Sequence, residues 1–369
     1  MKQSNYNFFF QLDSGEFLAF NSLRNGLAVI DANTVNKICG HSPGTKPDFE
    51  SSALQQLKRG GFLCDDDYDE YRLLTVRRHM RQYANTSLGL TIAPTLNCNL
   101  SCMYCFESPD TTVMSENVIK KLVEFVSHYI KKGIKSFSTT WYGGEPLMCL
   151  EEIQTLSNEL IALCKKNKVD YFAALITNGT LLDKDTVMKL KRMKVGYVQI
   201  TLDGPREIHD RRRPFRNPER GSSFDTIMAN LKEIAGKIPI ALRINLDVTN
   251  KEQALDFVSA LINRDWFRKR LQGPNAISPY YGYVKKYTKS CGCSKDDILN
   301  PGDFWEKDLE LKRYLYKNFK GYEYYPNLSF GCLATNIQAF VVDAGGKLYK
   351  CWNHLGFTEK SCGNIFEPL

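Results

Sequence analysis

Twelve of the 369 residues are cysteine, and three of them lie on one short stretch: Cys98-Asn-Leu-Ser-Cys102-Met-Tyr-Cys105. At this cysteine frequency such a triplet is expected by chance about 0.01 times, so the spacing carries information. Three thiolates on one loop suit an iron–sulfur cluster with three protein-bound irons and a fourth iron open to another ligand. A structural zinc site would need a fourth protein ligand, and the nearest histidine, His79, lies upstream on a different segment. The competing readings are that zinc site or three unrelated core thiols. A second cysteine system is C-terminal. Cys332 and Cys351 flank Val341-Val342 and Lys347-Leu348-Tyr349, which surround Asp343-Ala-Gly-Gly and read as a hairpin that brings the two thiols together; Cys362 is a third candidate. Cys291-Gly-Cys293 is either a metal-binding pair or two ordinary loop thiols. Cys39, Cys64, Cys149 and Cys164 read as core or incidental residues.

The cysteine loop needs elements to hold it. A β-rich apolar run at residues 88–94 leads straight into Cys98. Further runs follow at 137–141, 171–176, 197–202, 240–248 and 276–284. Helical periodicity fills the gaps at 115–132, 150–166, 183–194, 224–236 and 251–263, with Ser115 and Asp183 as N-cap signals. Six strands alternating with helices imply an α/β fold with a parallel sheet, and in such sheets function lies at the C-terminal ends of the strands. Residues 1–85 differ in pattern. Two short strands surround Asp13-Ser14-Gly15, then amphipathic stretches cover 27–39 and 49–60, and an Arg-rich connecting helix covers 73–83. A small winged-helix-like module is the expected fold there; a helical cap on the main domain is the alternative. A long connection at 274–301 marks a second boundary.

The stretch CNLSCMYC resembles the radical S-adenosylmethionine (SAM) signature CxxxCxΦC, with Tyr104 as the aromatic residue. Three further motifs occur in the family's order, each at a strand end. They are Gly143-Gly144-Glu145-Pro146, the ITNGT of residues 176–180 and the ITLDGP of residues 200–205; LRIN follows at 242–245. The family's fourth-strand Ser is Thr201 here, so the hydroxyl is kept. The resemblance implies a partial (β/α)6 TIM-like barrel over residues 86–272, with the last core strand and a connector at 273–330. It implies a [4Fe–4S] cluster on Cys98, Cys102 and Cys105, with SAM chelating the open iron. Tyr104, Gly143, Gly144, Glu145, Pro146, Asn178, Thr201 and Arg243 are the implied SAM-binding residues. Gly143 and Gly144 would let backbone approach the methionine end, Glu145 would accept from its ammonium, and Arg243 would pair with its carboxylate or with Asp247. Asp203 and His209 read equally as structural. The implied chemistry is reductive cleavage of SAM to methionine and a 5′-deoxyadenosyl radical, which takes a hydrogen atom from substrate.

The C-terminal segment, 331–369, resembles the start of a SPASM or Twitch domain, whose cysteines bind auxiliary clusters. Cys332 and Cys351, with Cys362, would hold one or two auxiliary [4Fe–4S] clusters. A full SPASM domain continues with further cysteines, so either a shortened domain or a continuing chain is expected; GNIFEPL reads as mid-domain. Residues 1–85 resemble the peptide-recognition element of enzymes that mature ribosomally synthesised peptides. A precursor peptide whose leader binds that module is therefore the expected partner, with a reductant such as flavodoxin or ferredoxin. The expected product is a thioether, or a carbon–carbon or carbon–oxygen cross-link. The alternatives are an anaerobic sulfatase-maturing enzyme that makes formylglycine, and a peptide epimerase.

Composition sets the remaining bounds. Hydrophobic residues make up 43% and charged residues 24%, which is ordinary globular usage and argues against disorder. A net charge of +8 is too small an excess to point to nucleic acid by itself. No run approaches the roughly 18 apolar residues needed to span a bilayer. Asp13 and Glu16 stand where a secretory peptide would be apolar. A cytoplasmic protein with reduced thiols is expected.

Overall fold

The computed structural model describes residues 1–41, 44–45, 48–287, 291–292, 294, 296–319 and 332–367. Cys293 lies outside them, so the Cys291-Gly-Cys293 pair is followed below only at Cys291 and Gly292. The chain divides into two compact units. One holds Met1–Tyr83 with Tyr324–Cys332, the other Ala84–Glu323 with Leu333–Leu369.

In the first unit three antiparallel strands, Asn7–Gln11, Phe17–Asn21 and Gly26–Ile30, form a meander. Helices Ala32–Cys39, Ser51–Gly60 and Glu70–Gln82 follow. The third strand lies where a single amphipathic stretch, 27–39, was expected. Asp31 divides that stretch: its carboxylate accepts from Thr34 N at 2.7 Å, so the strand ends and the helix starts there. One sheet face packs Ala19 against Ile38, Leu57, Phe62 and Leu63. The other face carries two cross-strand rows, Phe8–Phe20–Leu27 and Phe10–Leu18–Val29. Phe8, Phe10, Leu27 and Val29 are 46–55% exposed, so this face is an apolar surface open to water.

The second unit is built on six parallel strands in sequential order: Ser87–Ile92, Ser136–Trp141, Asp170–Thr177, Val195–Thr201, Ile240–Leu246 and Ile277–Tyr283. Their helix-facing residues, among them Leu90, Ile92, Leu175, Val198, Leu242 and Ile244, are buried. Helices Glu116–Lys131, Leu150–Lys166, Lys184–Arg192, Ser223–Ile234 and Ala254–Ile262 cover the outside. Ser115 and Asp183 cap the first and third of these helices, at 3.4 and 2.8 Å. The sheet is a partial barrel: its first strand pairs with the second on one edge and with Ala339–Val342 on the other.

That last pairing reshapes the C-terminal segment. Ala339–Val342, Lys347–Tyr349 and Gly363–Asn364 extend the main sheet. The expected hairpin is present, and Asp343 pins its turn by accepting from Gly345 N, Lys347 N and Tyr349 Oη at 2.9 Å each. Its register pairs Val341 with Tyr349 and Val342 with Leu348. The connector also holds a helix that its sequence pattern did not reveal, Pro301–Asn318, capped by Asn300 at 2.9 Å. Among the described residues no helix is long and apolar enough to cross a membrane.

Candidate active site

At the C-terminal ends of the barrel strands lies a cavity of about 580 Å³. Cys98, Cys102 and Cys105 line it, together with Tyr104, Gly143, Gly144, Asn178, Thr201 and Arg243. The topology thus brings the cysteine loop and the ends of strands two to five to one place.

The loop is held by backbone. Residues 99–103 run antiparallel to 212–216, with Ser101 N donating to Pro214 O at 2.9 Å, Met103 N to Arg212 O at 3.0 Å and Arg216 N to Asn99 O at 3.0 Å. Leu100 pairs with Phe215, so Cys102 stands opposite Arg213. Asn178, at the end of strand three, donates to Asn99 Oδ1 at 2.7 Å and to Cys98 Sγ at 3.8 Å. Asn99 in turn donates to Thr180 Oγ1 at 2.8 Å. Tyr104 completes the anchoring: its phenol donates to Asp203 at 2.5 Å and accepts from Arg213 at 2.6 Å and from Asn245 at 3.0 Å. The hydroxyl is thus occupied by this chain.

The two glycines act on the loop itself. Gly143 has φ +120°, and a Cβ there would meet Thr95 O at 2.3 Å; at Gly144 it would meet Asn97 O at 2.2 Å. Gly144 N and Glu145 N donate to those same two carbonyls. The GG turn therefore lies directly against the backbone that leads into Cys98.

Glu145 and Pro146 are placed differently from the expectation. Neither lines the cavity, and Glu145 is fully buried. Its carboxylate accepts from Leu147 N at 3.0 Å, Thr177 Oγ1 at 2.8 Å and Asn178 N at 2.7 Å. Those bonds tie strand two to strand three; Pro146 opens the short helix behind it. Arg243 lines the cavity and donates to Asn245 at 2.6 Å. Its alternative partner Asp247 is taken instead by Arg212, which is also bonded to Asp203 at 3.2 Å. All three groups are buried. Burial alone would raise the Asp203 carboxyl; the Arg212 and Arg213 charges outweigh it and hold it below the ordinary carboxylate range. His209 is structural: its Nδ1 accepts from Asp203 N at 3.1 Å, and burial lowers its pKa to about 4, so the ring is neutral.

Residues not singled out from the sequence also face the cavity. Glu107 is buried beside Tyr142, its Oε1 has no hydrogen-bond partner, and burial raises its pKa to about 7. Trp352 stacks on Tyr142 with centroids 4.9 Å apart, so the C-terminal segment supplies part of the cavity wall. Gly292 lines the cavity too, and the Cys291 thiol donates to Tyr104 O at 3.5 Å. Cys351 and Cys362 follow and precede paired strands; the Cys362 thiol donates to Leu348 O at 3.3 Å. Cys332 falls in the other unit.

Whether the three-cysteine loop fits a cluster can be judged from its donors. Burial pushes the Cys98 thiol up to about 12 and those of Cys102 and Cys105 to about 11, so all three are protonated at neutral pH. Among the described residues no three His, Cys, Asp or Glu side chains are gathered closely enough to hold a metal ion as they stand. The backbone anchoring, the adjoining cavity and three soft donors on one loop fit a cluster that binds with side-chain rotation and loss of three protons.

The radical SAM superfamily profile matches residues 92–261, which include the cysteine loop and the ends of strands two to five. The chain carries a radical SAM domain. It is 28% identical over 294 residues to a cysteine-type anaerobic sulfatase-maturating enzyme of Clostridium novyi, covering 72% of this chain and 73% of the relative. Its fold is similar to that of native anSMEcpe with bound AdoMet and Cp18Cys peptide (TM-score 0.60, 21% identity, 76% of this chain and 78% of that one). It is also similar to Streptococcus suis SuiB bound to precursor peptide SuiA (TM-score 0.53, 16% identity, 100% of this chain and 86% of that one).

Proposed function

We propose that this radical SAM enzyme modifies a ribosomally synthesised precursor peptide, and that a thioether is the favoured product, ahead of a carbon–carbon or carbon–oxygen link. The observation that carries the reading is the first unit. Among the described residues, the strands Asn7–Gln11 and Gly26–Ile30 each leave one edge of the meander without a neighbouring strand. Such an edge can take a leader segment as an added strand, and the apolar face beside it can take alternate side chains. The likeness to SuiB runs over the whole chain, this unit included, and supports the same reading.

In this reading Cys98, Cys102 and Cys105 hold the cluster, and Gly143, Gly144, Asn178, Thr201 and Arg243 border the SAM. Tyr104 and Glu145 act behind them, the first by fixing the loop, the second by joining strands two and three. When bound, the cluster and SAM supply hydrogen-atom abstraction through one-electron reductive cleavage of the sulfonium. Trp352 and Tyr142 close one side of the cavity against water. Cys351 and Cys362 are the proposed ligands of an auxiliary cluster, and a flavodoxin or ferredoxin is the proposed donor. A cytoplasmic location agrees with reduced thiols.

A second reading, formylglycine formation on a sulfatase, is favoured by the 28% identity to the Clostridium novyi enzyme. A peptide epimerase would use the same initial chemistry. Anaerobic incubation with a candidate precursor peptide and a sulfatase peptide in parallel, read by mass spectrometry, separates the readings. A two-dalton loss confined to the precursor supports a cross-link. Modification of the sulfatase peptide alone overturns it, and deuterium uptake from solvent without mass loss points to epimerisation.

A further inference from the structure

Arg212 and Arg213 are neighbours with opposite fates. Arg212 ends the helix Arg206–Arg212, and the residues after it run antiparallel to the cysteine loop. Arg212 turns inward to Asp203 and Asp247. Arg213 turns toward the cavity, stands opposite Cys102 in the ladder and is only 7% exposed. Its Nη1 donates to Tyr104 Oη at 2.6 Å, and its guanidinium carbon lies 6.0 Å from the Tyr104 ring centroid. Its Nε is buried without a hydrogen-bond partner. A buried donor on a permanent cation is costly unless something on the cavity side meets it.

We propose that Arg213 tunes the reduction potential of the SAM-binding cluster: its fixed positive charge opposite Cys102 and its unpartnered, buried Nε–H favour the reduced state. The inference rests on the reading that Cys98, Cys102 and Cys105 hold that cluster. A [4Fe–4S]2+ core with three thiolates carries one net negative charge, and one electron from a low-potential one-electron donor makes it two; no bond forms or breaks in that step. A nearby cation stabilises the second charge more than the first, and hydrogen bonds to cluster sulfur act in the same direction.

The test is an EPR-monitored potentiometric titration of reconstituted protein without SAM, after iron and sulfide have been counted. The R213M protein should bind a full cluster with a midpoint shifted downward by at least about tenfold in the one-electron equilibrium, which is about 59 mV. R213K, which keeps the charge, should lie between R213M and wild type. A fully loaded R213M protein with the wild-type midpoint overturns the proposal. If R213M does not hold a cluster, R213H serves: its midpoint should fall more steeply than that of wild type between about pH 6 and pH 8, as the imidazole loses its charge. Equal slopes overturn the proposal. A wild-type protein without cluster iron would instead refute the reading of the cysteines on which the proposal rests.

Discussion

Tyr104 and Asp203 are joined by a 2.5 Å hydrogen bond between the cysteine loop and the end of the fourth barrel strand. The bond couples the loop to the barrel, because Asp203 is itself held by Arg212 and by Asn245 N at 3.1 Å. The Y104F protein should keep the ring packing but leave Asp203, Arg213 and Asn245 each short of a partner. A loss of about 1–3 kcal/mol in denaturant unfolding is expected, with poorer cluster retention. Unchanged unfolding and iron content would show that the bond does not anchor the loop.

Gly144 should tolerate no side chain. A Cβ 2.2 Å from Asn97 O forces the backbone before Cys98 to move. The G144A protein should fold, because the contact is local, yet bind less iron on reconstitution than wild type. Iron counts equal to wild type would mean that the loop has room the structure does not show.

Protonation of the three thiols has a pH consequence for the metal-free chain. Burial raises their pKa from 9.0 to about 12 at Cys98 and about 11 at Cys102 and Cys105. Between those limits the folded state binds more protons than the unfolded state, so unfolding free energy falls as pH rises above about 9. Replacing all three cysteines by alanine should flatten that slope in apo unfolding experiments. An equal slope in both proteins contradicts the assignment.

His209 works in the opposite direction. Its folded pKa of about 4 lies below the ordinary imidazole value of 6.5, so the unfolded chain takes up a proton first on acidification. Stability should fall as pH drops from 6.5 toward 4, and the H209Q protein should lack that component. Identical acid profiles for the two proteins would place the titration elsewhere.

Much of the barrel was legible in the sequence because buried parallel strands are continuous apolar runs and their helices carry clear caps. Ser115 and Asp183 mark helix starts that the structure places one residue later. What depends on distant partners was not legible. The Gly26–Ile30 strand shares its apolar pattern with the helix that follows, and only its pairing to Phe17–Asn21 separates them. The C-terminal hairpin was visible from its turn, but its alignment with Ser87–Ile92 was not. At the site, motif order located the loop, the GG turn and Asn178, whereas the inward orientation of Glu145 depends on Thr177 and Asn178 meeting it. Arg213 stands in a run of three arginines, and nothing local distinguishes it from Arg211 or Arg212; the ladder to Cys102 does.

The central claim is that Cys98, Cys102 and Cys105 hold the cluster that cleaves SAM. Its most direct measurement is 5′-deoxyadenosine formed anaerobically with dithionite and SAM, by wild type and by the triple alanine variant, each confirmed folded by circular dichroism. Wild type should form it and the variant should form none. Equal amounts from both proteins, or none from wild type carrying a full complement of iron, would contradict the account.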